Sequence, residues 1–260
     1  MILDKIVAKT KIRILNLKHE KSLDEIKSEA EAMPVNLNFP FEYALKKEDI
    51  SFICEVKKAS PSKGVISKDF PYLTIAQEYE SAGASAISVL TEPDFFLGDN
   101  KYLSDIAGSV KIPVLRKDFI IDPYQIYEAK CIGASAILLI SSLLDTKTIS
   151  QYISIAENLG LSSLVEAHNK EEIESALEAG AKIIGINNRN LKTFEVNLNN
   201  SINLRQFIPK NILFVSESGI KTHNDIEKLR EIKTDAVLIG ETLMRCEDKK
   251  KAFEELRGKC

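Results

Sequence analysis

The chain has 260 residues, of which 44% are hydrophobic and 28% charged, with a formal net charge of -3. This is the composition of an ordinary globular protein, and its slight acidity excludes a general attraction to nucleic acid or to an anionic membrane surface. No apolar stretch approaches the ~20 residues of a membrane span, and Met1 to Lys21, dotted with lysines, lacks the continuous apolar core of a signal peptide.

Residues 1–48 are rich in Lys and Glu, with apolar spacing at Leu15, Leu23 and Ile26 and a break near Met33-Pro34. The spacing predicts one or two helices that cap or flank the rest. The first apolar run, Phe52–Val56, ends in an acid and a base, Glu55 and Lys57. Side chains two apart on a strand project to the same side, so both charges point into one interior. Ser60, Pro61, Ser62, Lys63 and Gly64 follow at once, with hydroxyls, a cation and accessible backbone. Alone, this run fits half an active site or a buried structural ion pair before a polar turn.

From Ser81 onward the chain repeats itself. Segments ending at Leu90, Ile140, Asn187 and Gly240 each combine a helix end, a small-residue turn and an unbroken apolar run. Gly in the first three turns fits a left-handed helix C-cap, and the apolar run fits a parallel strand buried on both faces. Further β-like runs lie at Phe52–Val56, Ile112–Leu115, Ser163–Glu166 and Ile212–Ser216. Eight strands are therefore predicted, beginning near residues 52, 85, 112, 135, 162, 183, 212 and 236. Asp122 before Pro123, Asn169 three before Glu172, and Thr222 three before Asp225 mark helix starts. No GxGxxG turn follows the first strand, as an open doubly wound sheet would require. The fold expected is α/β: a single (β/α)8 TIM barrel over residues 49–260, with a helical N-terminal extension over 1–48 in the same domain.

Barrels of this kind place their sites at the C-terminal ends of the strands. There the sequence offers Glu55 and Lys57, then Thr91 and Glu92 with Phe95 and Phe96, then Arg116, Lys117, Asp118 and Phe119. It continues with Leu139 to Ser142, Glu166, Asn187 and Arg189, then Glu217, Ser218 and Gly219, and last Gly240 and Glu241. An inward Lys117 has few structural reasons to stand where it does, whereas Asp118 suits the holding of a neighbouring loop. His168 reads as a residue near a helix start. Phe95 and Phe96 fit loop packing or a grip on a flat aromatic ligand. Gly219 and Gly240, in the last two loops, let backbone N–H groups approach a phosphate. Glu241 must turn its carboxylate away from one. The four cysteines show no pairing pattern, which fits a reducing cytosol, and the three histidines show no zinc spacing.

Seven segments in order resemble the indole-3-glycerol-phosphate synthase family of tryptophan biosynthesis. They are Glu55–Gly64, Leu90–Phe96, Leu115–Phe119, Val165-Glu166, Gly185–Leu191, Ser216–Ile220 and Gly240–Met244. Cys54 stands where the family commonly has a small residue such as Ala. The resemblance implies ring closure and decarboxylation of 1-(2-carboxyphenylamino)-1-deoxy-D-ribulose 5-phosphate, with no cofactor or metal. It implies a catalytic set of Glu55, Lys57, Lys117, Glu166, Asn187 and Ser218, and substrate contacts from Ser60, Phe96, Phe119, Leu138, Arg189 and Glu217. Gly219, Gly240 and Glu241 would hold the phosphate, and the Ser60–Gly64 loop would form a flap. An ammonium such as Lys117 suits the general acid that protonates the ribulose carbonyl. Lys57 or Glu166 is available as a second acid, Glu55 or Glu166 as the final base, and Arg189 or Lys57 for the anthranilate carboxylate. The expected partner is one small phosphorylated substrate, with no nucleic acid or membrane, for a cytoplasmic monomer or weak homodimer. Two rival readings stay open: another phosphosugar barrel, such as a phosphoribosyl isomerase, and a non-catalytic barrel subunit of a pathway complex.

Overall fold

Parallel strands need a crossover between neighbours, and the helix-then-apolar-run repeat supplies one each time. The computed structural model describes residues 2–190 and 193–258. Leu191, which ends one matched segment, and Cys260 lie outside the described residues. In chain order the strands are β1 (Ser51–Val56), β2 (Ala59–Ser60), β3 (Gly64–Val65), β4 (Ala86–Leu90), β5 (Val114–Lys117), β6 (Ala136–Ile140), β7 (Ser162–Ala167), β8 (Ile183–Asn187), β9 (Leu213–Glu217) and β10 (Ala236–Ile239). All but β2 and β3 close into a parallel barrel, in the order β1-β10-β9-β8-β7-β6-β5-β4. The largest departure from the predicted starts is at β5, expected near 112 and observed at Val114. β2 and β3 form a short antiparallel hairpin that the sequence reading took for an irregular loop.

The helices are α1 (Ile2–Glu20), α2 (Leu23–Ala32), α3 (Pro40–Leu45), α4 (Tyr72–Ala82), α5 (Asn100–Ser109), α6 (Pro123–Cys131), α7 (Thr146–Asn158), α8 (Lys170–Glu178), α9 (Asn199–Leu204), α10 (His223–Glu231), α11 (Glu241–Met244) and α12 (Lys249–Leu256). The three predicted N-caps are present. The side chains of Asp122, Asn169 and Thr222 accept N–H bonds from Tyr124, Glu172 and Asp225. Gly83, Gly133 and Gly180 take the left-handed conformation at their helix ends, and Lys233 takes it without glycine in the fourth repeat (φ 58°).

Strand alternation sorts the core into two parts. Ile53, Leu115, Leu138, Leu164, Val215 and Leu238 fill the barrel, while Phe52, Val89, Leu139, Val165, Ile186 and Phe214 face the helices. The extension holds three helices rather than the one or two expected. α3 buries Phe41 and Leu45 completely in the barrel interior, and Ser51, at the start of β1, donates to the Ala44 carbonyl (3.1 Å). The N-terminal end of the barrel is thereby plugged. α2 lies along α6, where Lys130 donates to the Pro34 carbonyl (2.7 Å). α1 reaches the opposite end, where Arg13 pairs with Asp118 (3.2 Å) and Lys18 with Asp122 (2.7 Å).

Candidate active site

Above the apolar layers, the C-terminal ends of the strands enclose a cavity of about 670 Å³. Every predicted site residue lines it: Glu55, Lys57, Ser60, Phe96, Lys117, Phe119, Leu138, Glu166, Asn187, Arg189, Glu217, Ser218, Gly219, Gly240 and Glu241. The register explains the convergence. Glu166 stands beside Gly185, and Asn187 beside Glu217, so inward positions two apart climb together into one ring. Two glycines keep that ring open. A Cβ at Gly185 would meet the Glu217 carboxylate, and one at Gly240 would meet Glu55 and lie 2.9 Å from Lys57 Nζ.

Lys117 is the hub. Its Nζ lies 2.8 Å from Glu217 Oε2 and 3.4 Å from Glu166 Oε2. Burial works against its charge, but Glu217, Glu166 and Glu55 outweigh burial and hold its pKa above the ordinary lysine range. Glu217 is fully buried; burial, Glu166 and Glu55 push its carboxyl above the usual range against the opposing pull of Lys117. Its second oxygen, Oε1, has no hydrogen-bond partner. The sequence reading gave Glu217 a substrate contact only; the structure also makes it the nearest partner of the central ammonium. Glu55 and Lys57 form a second ion pair across the ring.

One end of the cavity is lined by the turn after β9 and the start of α11. Ser218 (φ 68°) and Gly219 (φ 85°) are both left-handed, a strained conformation for the serine, and Asn188 Nδ2 holds the Ser218 carbonyl (3.0 Å). α11 opens beside them, and Thr242 Oγ1 donates to the Ile220 carbonyl (2.7 Å). The Glu241 side chain lines the cavity. It stays at the rim, where Lys63 (3.4 Å), Arg245 (3.2 Å) and Arg189 (3.9 Å) surround it. Burial disfavours its charge, yet Lys63 and Arg245 hold its pKa below the usual carboxylate range.

The other side is aromatic. Phe96 and Phe119 sit 5.9 Å apart at 39°. Glu92 fixes the Phe96 loop by accepting N–H bonds from Asp94, Phe95 and Phe96. Phe95 does not line the cavity. The hairpin hangs from this loop through the Ala59 N–H and the Phe96 carbonyl (3.2 Å), and brings Ser60 to Lys63 over the opening. Asp118 holds its neighbours as expected, bonding Thr91, Arg116 and Arg13. His168 does more than stand near a helix start, since its Nε2 is 3.5 Å from Glu166 Oε1. Ile2, Leu3 and Ile6 of α1 also line the mouth, with Phe194 and Val196 from the β8–α9 loop. None of these was legible, because nothing local tells a helix or loop where in a barrel it will land.

Chemically, the cavity offers a buried ammonium clamped by carboxylates, an aromatic wall and a glycine-bearing corner at the start of a short helix. The family model described as indole-3-glycerol phosphate synthase matches residues 3–256. Proteins of that name are similar over nearly all of both chains. The one from Ruminiclostridium cellulolyticum is 61% identical (99% of each chain), and that from Endomicrobium trichonymphae 57% (99% of this chain, 100% of that one). The one from Lacticaseibacillus paracasei is 53% identical (98% and 99%). Among solved structures, 3-hexulose-6-phosphate synthase from Salmonella typhimurium has a TM-score of 0.66 at 14% identity, covering 80% of this chain and 97% of that one. Thiamine phosphate pyrophosphorylase from Pyrococcus furiosus has 0.60 at 18%, covering 84% and 96%. These two likenesses show the barrel fold alone.

Proposed function

The chain belongs to the indole-3-glycerol phosphate synthase family, and we propose that it closes and decarboxylates 1-(2-carboxyphenylamino)-1-deoxy-D-ribulose 5-phosphate. The products are indole-3-glycerol phosphate, carbon dioxide and water, which makes the protein a carboxy-lyase of tryptophan biosynthesis. The observation that supports the chemistry most is Lys117, held between Glu217 and Glu166 at the cavity centre.

The ring carbon that bears the carboxylate attacks the ribulose carbonyl, whose oxygen takes a proton from Lys117. Carbon dioxide then leaves and the ring regains aromaticity. The new hydroxyl departs as water with a proton from Glu166, which takes one back from the adjacent carbon as the indole forms. Each turnover thus consumes one proton, because a carboxylate leaves as a neutral gas. Glu55 and Lys57 pin the substrate across the ring, and Glu217 fixes the Lys117 ammonium. Asn187 orients the substrate hydroxyls, with Ser60 and the Ser218 hydroxyl at the rim. Arg189 offers a bidentate fork to the carboxylate. Phe96, Phe119 and Leu138 bound the aromatic ring, while N–H groups of Gly219, Gly240 and Glu241 take the phosphate, with Lys63 and Arg245 adding charge.

No described helix is long and apolar enough to cross a membrane. Cys54, Cys131 and Cys246 are free thiols, and on that ground we assign the enzyme to the cytoplasm. The chain has no Trp, so product reports itself. Adding the carboxyphenylamino substrate to the folded protein produces new indole fluorescence over a Tyr background. A flat trace with authentic substrate overturns the assignment.

A further inference from the structure

Ala167 separates Glu166 from His168, so both of the latter project inward from the end of β7. The imidazole is nearly enclosed, its side chain 17% exposed, and its two nitrogens meet different carboxylates. Nδ1 lies 3.1 Å from Glu172 Oε2, an oxygen that also accepts the His168 backbone N–H at 2.8 Å. Glu172 is itself held, since its Oε1 accepts from Asn169 Nδ2 (3.0 Å) in the first turn of α8. That carboxylate orients the ring and keeps the proton on Nδ1. Nε2 then faces Glu166 Oε1 at 3.5 Å, buried and without a hydrogen bond. Two acceptor lone pairs would repel one another there. The contact is favourable only when one proton lies between them, on Nε2 or on Oε1.

The reaction needs a protonated Glu166 at the start of each cycle, and the other charges around it are Lys117 on its Oε2 and Glu217 beyond. We propose that His168, anchored by Glu172, is a positioning residue that shares a proton with Glu166 Oε1 and keeps that carboxyl loaded for transfer at the opposite oxygen. The inference rests on the proton-transfer role given to Glu166 above. At the moment of dehydration the pair holds two protons, one on Nε2 facing Oε1 and one on Glu166 Oε2, the oxygen turned to Lys117. When Glu166 gives its proton to the departing hydroxyl, the Nε2–H bond can break and the O–H bond reform, leaving neutral imidazole. When Glu166 takes a proton from the ring-closing carbon, the pair regains it. The groups that face the imidazole favour its charged form. Burial opposes that charge, but the Glu172 hydrogen bond and the carboxylates of Glu166, Glu172 and Glu217 raise its pKa above the ordinary value. Asn200, a neutral amide, donates to the His168 carbonyl (3.4 Å) and to the Asn187 carbonyl (3.3 Å).

The test is the pH dependence of kcat in His168→Gln and His168→Asn, with ring nitrogen NMR of the wild type. The sign is fixed by the chemistry: turnover needs the shared proton, so kcat falls as pH rises and the His168 imidazole loses it. Removing the imidazole shifts this alkaline limb to lower pH and lowers kcat at neutral pH by about tenfold, with KM changed by less than about threefold. In the wild type, the His168 signal titrates above the ordinary value of about 6.5, and Glu172→Gln lowers it. Unchanged kcat and an unmoved alkaline limb in both variants overturn the proposal. So does a wild-type His168 titration at or below the ordinary value, a result that does not depend on either variant folding. Glu166→Gln separates the two claims. If it retains wild-type turnover, the role given to Glu166 falls and the proposal falls with it. If it is inactive while His168→Gln behaves as wild type, the proposal alone falls.

Discussion

Lys117 stands where its charge is costly to bury, and three acidic neighbours sustain it in the resting site. With its pKa raised, it remains an ammonium through the neutral range and contributes no limb to the pH profile there. Lys117→Ala should lower kcat by about 10²–10⁴-fold while substrate binding, measured by titration calorimetry on the folded variant, survives. Near-normal turnover would remove Lys117 from the acid role. The same crowding makes Gly185 a silent member of the site, because any side chain there runs into the Glu217 carboxylate. Gly185→Ala should push Glu217 off Lys117 and lower kcat by about 10²-fold, with little loss of thermal stability. A fully active Gly185→Ala enzyme would show that the clamp tolerates displacement. At this scale the sequence was informative about direction and poor about distance. Period-two alternation aimed Glu55 and Lys57 inward and strand-end position singled out Lys117 and Glu166, but that Glu217 lies closer to Lys117 than Glu166 does is a fact of strand stagger that no single strand contains.

Among elements, the barrel strands were readable to within a residue or two because each is a buried parallel run bounded by a capped helix. The pieces that shape the mouth were not. β2 and β3 are too short to carry a periodic signal, and α3 opens on Pro40 after a left-handed Phe39 (φ 45°). α1 was legible as a helix while its destination was not, since Arg13 meets Asp118 across 105 residues of chain. Arg13 also lies 3.6 Å from Glu92, the residue that ties down the Phe96 loop. It therefore links α1, the aromatic wall and the strand of Lys117. Arg13→Ala should cost about 1–3 kcal/mol in denaturant unfolding, since it leaves the buried Asp118 without one of its charged partners. KM should rise several-fold as Ile2, Leu3 and Ile6 loosen over the mouth. A change in stability with no change in KM would confine the tie to folding.

For the whole molecule, stability and chemistry occupy opposite ends of one barrel. Phe41 and Leu45 are fully buried at the N-terminal end, beneath the apolar layers that underlie the cavity. Phe41→Ala should lose about 3–5 kcal/mol of unfolding free energy and keep kcat/KM close to the wild-type value below its melting temperature. A collapse of activity in the still-folded variant would mean that the two ends are coupled through the core. The repeat announced the barrel and its polar end from sequence, yet the plug stayed hidden because Phe41 and Leu45 sit in a six-residue helix whose apolar face matches no repeat. The plug also governs traffic. With Phe41 and Leu45 filling the N-terminal end, the indole product leaves through the same opening that admitted the substrate. Any enzyme that receives the product directly has to approach that same face, past the Lys63–Glu241 contact.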